Sequence, residues 1–477
     1  MRVIPPTIKA LLKSKSMINA NAPQASIYLP DSSNIVIPAI SCSITREEAA
    51  DAATATFSVN NVNPSDSSDV GYYTPYRSTD FGKTANSFHN ALLPSKRVQI
   101  EIGYAAEAEI VFKGEIDEAT FSASPRDYKI DLSCRDYACK LIDVDVHTIW
   151  GIGDKEYTLY YPLPAGMKDE AGNPYYPYLA ADAICDISEY VKDICIRAGF
   201  VEGNVLVEAT GITDYEPTFT KTKYMDAVNQ LCGVVGFIFC IDEDGNAIFK
   251  NQTAASPVKY DDTIVLTGTA YSTLENPHIV SGSEQVWSAA GQTGVQYSSS
   301  TDYEIDLAVG QVKRRAGSTI GSGATVYVTY IFAAWTFQEG SDIYSLNLTI
   351  SRRNLYGTIR INGDGVEAVA VATSPQWDSS TIRINKTLFA DSPYSETVPQ
   401  CQAAADYLIS DMLNHYICCD FAAVGNPWIM LGDSIMIIES SSTISEVYKI
   451  TGLILEITPD GCVMSIKAFN IGYTPLT

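Results

Sequence analysis

The chain has 477 residues, of which 46% are hydrophobic and 18% are charged, a balance typical of globular proteins and unlike that of disordered or fibrous chains. Two to four domains are expected, since one domain usually holds about 100–200 residues. The net charge of -24 disfavours a surface that neutralises nucleic-acid phosphates. Solubility is the simpler explanation of this charge; the alternative is a passage from which DNA is repelled.

The sequence shows no pattern typical of a targeting segment, a disulfide framework or a metal site. The first residues lack the apolar core and cleavage site of a signal peptide. No run of about 18 apolar residues occurs, so no membrane span is expected. The eleven cysteines lie scattered among apolar neighbours, and the adjacent Cys418 and Cys419 lack the second close pair of a zinc site. We therefore expect reduced core cysteines, no metal and no cofactor.

Residues 1–150 predict a first domain of antiparallel strands, a small barrel or sandwich. Polar and apolar residues alternate in Arg97–Tyr104 and Tyr128–Cys134, as in half-buried strands. Thr54–Val59 and the segment around Ile110 and Phe112 indicate further strands.

A long segment inside this domain, residues 60–95, lacks the periodicity of a core element. Loops of this length in compact domains are usually functional or disordered. Tyr72, Tyr73, Tyr76 and Phe81 are aromatic anchors suited to an interface. A mobile surface loop remains an equal alternative.

Residues 151–180 are rich in Gly, Pro and Tyr and indicate an insertion or linker. An α+β domain is predicted over 181–260. Apolar residues at helical spacing predict a helix from Ile184 to Ala198 that ends at Gly199. A second helix is predicted at Tyr224–Val235, followed by a hairpin that turns at Asp244-Gly245. A calcium loop is the weaker alternative there, because the closing glutamate is missing.

Residues 261–395 predict a β domain that contains an inserted β-module at 286–332. The last part, 396–477, predicts a helix from Pro399 to about Asn414, capped by Thr397, and then closing strands. The predicted closing strands are Ser434–Glu439, Val447–Thr451, Leu453–Thr458 and Cys462–Ala468.

Catalytic motifs are lacking. The four histidines stand far apart, and the sequence has no Gly-x-Ser-x-Gly elbow and no phosphate-binding Gly-Lys-Ser/Thr loop. Carboxylates cluster around Asp117 and around Glu304, and two acids across a cleft are what glycoside hydrolysis needs. Solvated strand faces explain these clusters more simply. The sequence therefore predicts no enzyme.

Several segments resemble the tail hub proteins of phages in the late-control-protein D family. The first are Val111–Asp117 and Ile130–Leu141, and the middle of the chain is similar at Leu231–Phe237. Gly425–Ile435 is the most specific, with a Gly-Asn-Pro turn followed by Leu-Gly-Asp.

This last segment also has a physical logic as a structural turn, formed by Gly425, Asn426, Pro427, Gly432 and Asp433. Proline stiffens the turn, and the second glycine permits an unusual backbone angle. The aspartate bonds the backbone before a strand begins.

The resemblance implies a mainly β fold with α+β parts: two small antiparallel barrels per chain, a helix-containing α+β domain and an inserted β-module. It also implies a homotrimeric ring that adapts the tail tube, or a distal tail protein, to a spike or tail fibre. DNA would pass through the lumen without specific binding. The expected location is the tail or baseplate of a virion, after assembly in the host cytoplasm.

Two other classes of function stay open. The chain's 29 tyrosines and five tryptophans suit a carbohydrate-binding receptor adhesin. A cell-wall hydrolase of the tail tip would use carboxylates such as Asp302 and Glu304. Neither class explains the turn at Gly425–Asp433.

Overall fold

The fold is described from a computed structural model of the chain. It covers residues 24–471, except for 33–34, 49, 64, 75–90, 105–106, 125–126, 144–185, 213–221, 252–257, 281–282, 352–354, 364, 372–385, 392–396, 415–416, 440–443 and 459–460. Strands dominate the described residues, so the mainly β fold class is confirmed. In that part of the chain no helix is long and apolar enough to cross a membrane.

Six antiparallel strands close into a barrel in the first part of the chain. In chain order the barrel strands are β1 (Gln24–Leu29), β2 (Ile35–Glu47), β3 (Thr54–Asn60), β6 (Arg97–Tyr104), β7 (Glu107–Ser124) and β8 (Asp127–Asp136), and β4 (Val62–Asn63) and β5 (Asp66–Val70) lie between β3 and β6 in the chain. The order around the barrel is β1-β6-β7-β8-β3-β2, and β2 pairs with β1 to close it. Every second residue of these strands points into one apolar core. The short strands β4 and β5 form a separate hairpin.

An α+β unit follows. Its elements are α1 (Cys139–Ile142), α2 (Ile187–Arg197), β9 (Val205–Val207), α3 (Tyr224–Val235), β10 (Phe237–Ile241) and β11 (Ala247–Asn251). The side chain of Asp186 accepts a hydrogen bond from the Ser188 amide and begins α2. Beyond the helix, Gly199 has a φ of 97°, so the predicted glycine stop is confirmed.

The hairpin of β10 and β11 turns where the sequence predicts it. The Asp242 carboxylate accepts hydrogen bonds from the amides of Asp244 (2.9 Å) and Asn246 (2.8 Å), and Gly245 has a φ of 77°. The hairpin interpretation is confirmed.

The β-module is larger than the sequence pattern indicates. Its strands are β12 (Val258–Leu266), β13 (Ser272–Thr273), β14 (Gln285–Ala289), β15 (Thr293–Tyr297), β16 (Tyr303–Asp306), β17 (Gln311–Arg314) and β18 (Ala324–Ile331). They form one four-stranded and one three-stranded sheet around a common core. The module begins at Val258 and not at residue 286, because β12 pairs with β18 and places Ile264 and Leu266 in that core.

The remaining elements form a small α/β layer and a second large sheet. They are β19 (Trp335–Gln338), β20 (Ile343–Ile350), β21 (Thr358–Asn362), β22 (Glu367–Val371), β23 (Thr387–Asp391), α4 (Val398–Asn414), β24 (Ile417–Val424), β25 (Ser434–Glu439), β26 (Ile444–Thr458) and β27 (Gly461–Asn470). Helix α4 packs on the sheet of β21, β22 and β23. Thr397 and Gln400 bond each other's backbone amides and cap this helix, as predicted for Thr397.

The second large sheet also has six strands, in the order β20-β24-β27-β26-β25-β19. Its strands pair antiparallel, except that β19 pairs parallel with β25. A single bridge between Glu339 and Ile343 connects its two outer strands. The sequence predicts two strands, Val447–Thr451 and Leu453–Thr458, but the structure has one strand, β26, with a bulge at Thr451.

The two large sheets are joined by hydrogen bonds between β2 and β26. Cys42–Glu47 of β2 pairs antiparallel with Gly452–Ile457 of β26, which makes one sheet of twelve strands. One edge of each long strand is divided. Its first half pairs with a strand of the same barrel or sheet, and its second half pairs across the junction. The opposite edge pairs with β3 in one case and with β27 in the other.

A buried ion pair attaches the α+β unit to the first barrel. The Arg46 guanidinium on β2 contacts the Glu243 carboxylate in the β10–β11 turn, and both residues are less than 10% exposed. Arg46 also donates a hydrogen bond to the backbone oxygen of Val111 on β7. The pair therefore fixes the hairpin turn against strands β2 and β7.

Loss of one partner of this pair destabilises the chain. We expect Glu243→Gln to cost about 3–5 kcal/mol, because the buried Arg46 charge then loses the carboxylate that it contacts. The double variant Arg46→Met/Glu243→Met removes both charges and is expected to recover most of that loss. Urea denaturation followed by circular dichroism measures both. A double variant less stable than Glu243→Gln would contradict this account.

Candidate functional site

The predicted turn at Gly425–Asp433 lies between β24 and β25 and is tightly packed. The Gly425 amide donates a hydrogen bond to the Cys462 backbone oxygen at 3.0 Å. A Cβ at Gly425 would lie 2.0 Å from the Cys462 Sγ atom, so only glycine fits. The Asn426 Oδ1 atom accepts a hydrogen bond from the Trp428 amide at 3.1 Å. Pro427 lies buried between them.

The second half of the turn leads into β25 and β26. Gly432 has a φ of 83°, and its amide donates to the Ile450 oxygen at 2.9 Å. The Asp433 Oδ2 atom accepts from the Met430 amide at 3.0 Å. Because Asp433 is only 2% exposed, burial raises the pKa of its carboxyl to about 7.

The last two residues of this turn have counterparts in the first barrel, which sequence reasoning did not find. Ser95 has a φ of 65°, and its amide donates to the Ile116 oxygen at 2.7 Å, as Gly432 does to Ile450. The next residue, Lys96, accepts from the Ile116 amide at 3.0 Å, as Asp433 does from Ile450. The two turns share their backbone bonds and not their residues.

The strands that follow these turns also correspond in register. Strand β7 has a bulge against β8 between Ile116 and Glu118, and β26 has one against β27 between Ile450 and Gly452. Strand β2 has a bulge against β3 just before Ser41, and β20 has one against β24 just before Ser345. Bulges are specific local features, so two at matching positions indicate a structural repeat.

This repeat comprises two groups of four strands. The group β7-β8-β3-β2 matches β26-β27-β24-β20, and the β2–β26 pairing joins the groups into a continuous run of eight strands. Phe57 on β3 and Phe421 on β24 occupy matching positions, and both are buried.

One face of the eight-strand run packs on the core, and on the other face small hydroxyl side chains are the most frequent kind, beside acids such as Glu118, Asp420 and Glu456. The hydroxyl residues are Ser41, Ser43, Thr45, Thr54, Thr56, Ser58, Thr120, Ser122, Ser133, Ser345, Thr349, Thr458 and Ser465. We call this surface the hydroxyl face. A shallow depression of about 500 Å³ on it crosses the junction from β7 to β26.

Every basic side chain found on the hydroxyl face has an acidic partner. Lys129 contacts Asp131 at 2.7 Å, and Lys467 contacts Glu47 at 2.6 Å. Arg135 contacts Asp117 at 2.7 Å and Asp143 at 2.9 Å. The face therefore offers hydroxyl groups and a few acids, with its described cations already neutralised.

The aromatic loop residues fall in different places. Tyr73 is 2% exposed and packs in the core of the first barrel, with burial raising the pKa of its hydroxyl to about 12. Tyr72 is partly buried and meets the Tyr73 ring edge-on at 5.0 Å. Tyr76 and Phe81 lie outside the described residues. Of the two aromatic loop residues that the structure describes, Tyr72 is the one with a partly accessible ring.

The carboxylates considered for hydrolysis serve the β-module's own structure. Asp302 accepts hydrogen bonds from Ser298 and Thr319, which hold the pKa of its carboxyl well below the usual range. Glu304 contacts Lys313 at 3.0 Å and accepts from the Tyr271 hydroxyl at 2.8 Å. Across the described residues, no group of three or more His, Cys, Asp and Glu could hold a metal ion.

Two solved structures share this fold. The tail protein from Neisseria meningitidis MC58 aligns with 94% of this chain and 96% of its own, with a TM-score of 0.54 and 10% identity. The 43 kDa tail protein of prophage MuSo2 from Shewanella oneidensis aligns with 93% and 97%, with a TM-score of 0.50 and 11% identity. The resemblance to phage tail proteins is thereby confirmed for the fold. No protein-family model and no curated sequence matches the chain.

The two matching turns allow a paired test of backbone strain. Ser95→Gly is expected to stabilise the chain by about 1 kcal/mol, because a left-handed backbone costs a residue with a Cβ roughly that much. Gly432→Ser is expected to lose a similar amount, since space around Gly432 admits a Cβ. Thermal unfolding measures both shifts. Equal shifts of the same sign would rule out the correspondence of the two turns.

Asp433 makes stability depend on pH. Between pH 4 and 7 the unfolded chain loses this proton while the folded chain keeps it, so stability falls as pH rises through that range. Asp433→Asn is expected to match the native chain near pH 4 and to exceed it at pH 8 by up to about 4 kcal/mol, since one pKa unit is worth about 1.4 kcal/mol.

Melting temperatures from pH 4 to 8 measure this difference. Asp420→Asn, which removes an exposed carboxylate on β24, is the control with the same change in charge. Buried Asp136, whose pKa burial raises to about 6, is present in both chains and cancels in the comparison. If the difference in melting temperature between the native chain and Asp433→Asn does not change with pH, the buried acid is excluded as its cause.

Proposed function

We propose that the chain is the structural hub of a phage or phage-like tail, a trimeric ring that adapts the tail tube to a central spike or fibre. The repeat of two four-stranded groups carries this proposal. Three copies supply six equivalent groups, so a ring with threefold symmetry presents six similar surfaces to a tube with sixfold symmetry. The fold shared with two tail proteins supports the same role.

The hydroxyl face is the surface that this proposal assigns to the DNA channel. Affinity for DNA comes mainly from Lys and Arg that neutralise phosphates. Lys129 and Lys467 are each held by a neighbouring carboxylate, and hydroxyl groups carry no net charge. DNA therefore finds few cations to hold it. The acids Glu118, Asp420 and Glu456 add negative charge to this face, as a passage that repels DNA requires.

The proposed partners are the tail tube or distal tail protein on one side of the ring and the spike or fibre on the other. The proposed location is the tail or baseplate of the virion. No catalytic step is part of the proposal, in keeping with the structural roles of Asp302 and Glu304.

The assembly state tests this function. Native mass spectrometry of the full chain, alone and mixed with the tube protein of the same particle, is expected to give a trimer. Electron microscopy of that species is expected to show rings with six similar lobes. A chain that stays monomeric both alone and with the tube protein would exclude the ring.

A further inference from the structure

The two strands that join the repeat have counterparts in the other group, and part of one edge of each counterpart has no described strand beside it. Strand β2 pairs with β26 across the junction, and the strands that match them are β20 and β7. In the described residues, Glu118–Ser122 of β7 pairs only with β8, and Leu346–Ile350 of β20 pairs only with β24. Among the described residues, the eight-strand run therefore has an open edge at each end.

The apolar side chains at these edges are more exposed than those that match them at the junction. On β20, Leu348 is 38% exposed, while the matching Ile44 on β2 is 3% exposed. Phe121 on β7 is partly buried, while the matching Leu455 on β26 is 4% exposed. Ile350, at the end of β20, is 60% exposed. At the junction, the neighbouring strand covers the apolar side chains. No described strand covers those at the two outer edges.

We propose that β20 of one copy pairs antiparallel with the second half of β7 of the next copy, in the register of the β2–β26 junction. At the junction Ile44 lies opposite Leu455 and Thr45 opposite Ile454. The transferred register places Leu348 opposite Phe121 and Thr349 opposite Thr120. This inference rests on the proposed ring and assigns its contact between copies.

The side chains brought together by this register are complementary. Leu348 and Ile350 meet Phe121 and Ala119 on the core side of the sheet, where apolar pairs exclude water. Thr349 meets Thr120 on the opposite side, so the hydroxyl face continues into the next copy. A shift of one residue would turn the apolar side chains to the hydroxyl face.

An exposed, regular strand edge otherwise invites uncontrolled association. A ring pairs every such edge, because the β20 edge of the last copy meets the β7 edge of the first. The partner of each edge is thus a second copy of this chain.

Cysteine crosslinking tests the register. The double variant Phe121→Cys/Leu348→Cys, treated with a short thiol-to-thiol crosslinker, is expected to give covalent dimers and trimers on denaturing gels. A link between positions 121 and 348 of one copy is excluded, because seven strand spacings of about 4.8 Å separate them by roughly 34 Å along the sheet. Cys419 lies opposite Leu348 on β24 and is replaced by alanine in every variant. Burial raises the pKa of the native thiols of Cys42 and Cys139 to about 12 and keeps them unreactive.

The matched control is Phe121→Cys/Asn347→Cys. Asn347 neighbours Leu348 in sequence but points to the other face of the sheet, so this pair is expected to crosslink at least about tenfold less. The native chain and both single variants give the background. Equal crosslinking of the two pairs would overturn the register.

A second variant keeps the test independent of thiol chemistry. Leu348→Lys changes an exposed side chain, so the monomer is expected to keep its melting temperature. Assembly is expected to require about tenfold or more protein, because pairing would bury an unmatched charge. Rings that form normally with Leu348→Lys and without the Phe121–Leu348 crosslink would refute the edge contact while leaving the hub function intact. A chain that never assembles would refute both.

Discussion

The β2–β26 pairing is the contact on which the architecture depends. A strand in a closed barrel has both edges occupied, so a barrel alone offers no place to join a second sheet. Here β2 is 13 residues long and β26 is 15, and each shares one of its edges between two neighbouring strands. The two sheets are therefore connected by backbone hydrogen bonds and not only by side-chain contact. Such a junction keeps their strands in a fixed register.

The α+β unit is attached where this junction places a charged side chain. Arg46 lies on the half of β2 that pairs with β26, and its inward side chain reaches Glu243 in the α+β unit. At the matching place on β20 stands Ile350, which is exposed. The two halves of the repeat thus share backbone geometry but differ in side chains. The position on β2 contacts the α+β unit of the same chain, and the matching position on β20 is exposed.

Local features of this fold were predictable from the sequence. Alternation predicted β6 and β8, helical spacing predicted α2, and the Asp-Gly pair predicted the β10–β11 hairpin. The turn at Gly425–Asp433 was predicted because glycine and proline restrict the backbone directly. Each of these depends on residues close together in the chain.

Features set by distant contacts were not predictable in the same way. The bulge at Thr451 interrupts the alternation of β26, so one strand resembles two. Ser95 occupies the left-handed position that Gly432 fills in the second sheet, and serine gives no sign of that conformation. The ion pair of Arg46 and Glu243 joins residues 197 positions apart. No spacing rule connects such residues, and only the folded chain brings them together.

The hydroxyl face shows how one set of residues meets two demands. Threonine favours strands because its branched side chain packs well on a pleated sheet, and serine and threonine keep that surface wet without a formal charge. A face of lysines would hold a polyanion, and a face of unpaired carboxylates would destabilise the sheet by repulsion between adjacent strands. Neutral hydroxyls avoid both effects. A surface of this composition can therefore extend over eight strands and, if the edges pair between copies, around a closed ring without a change in its character.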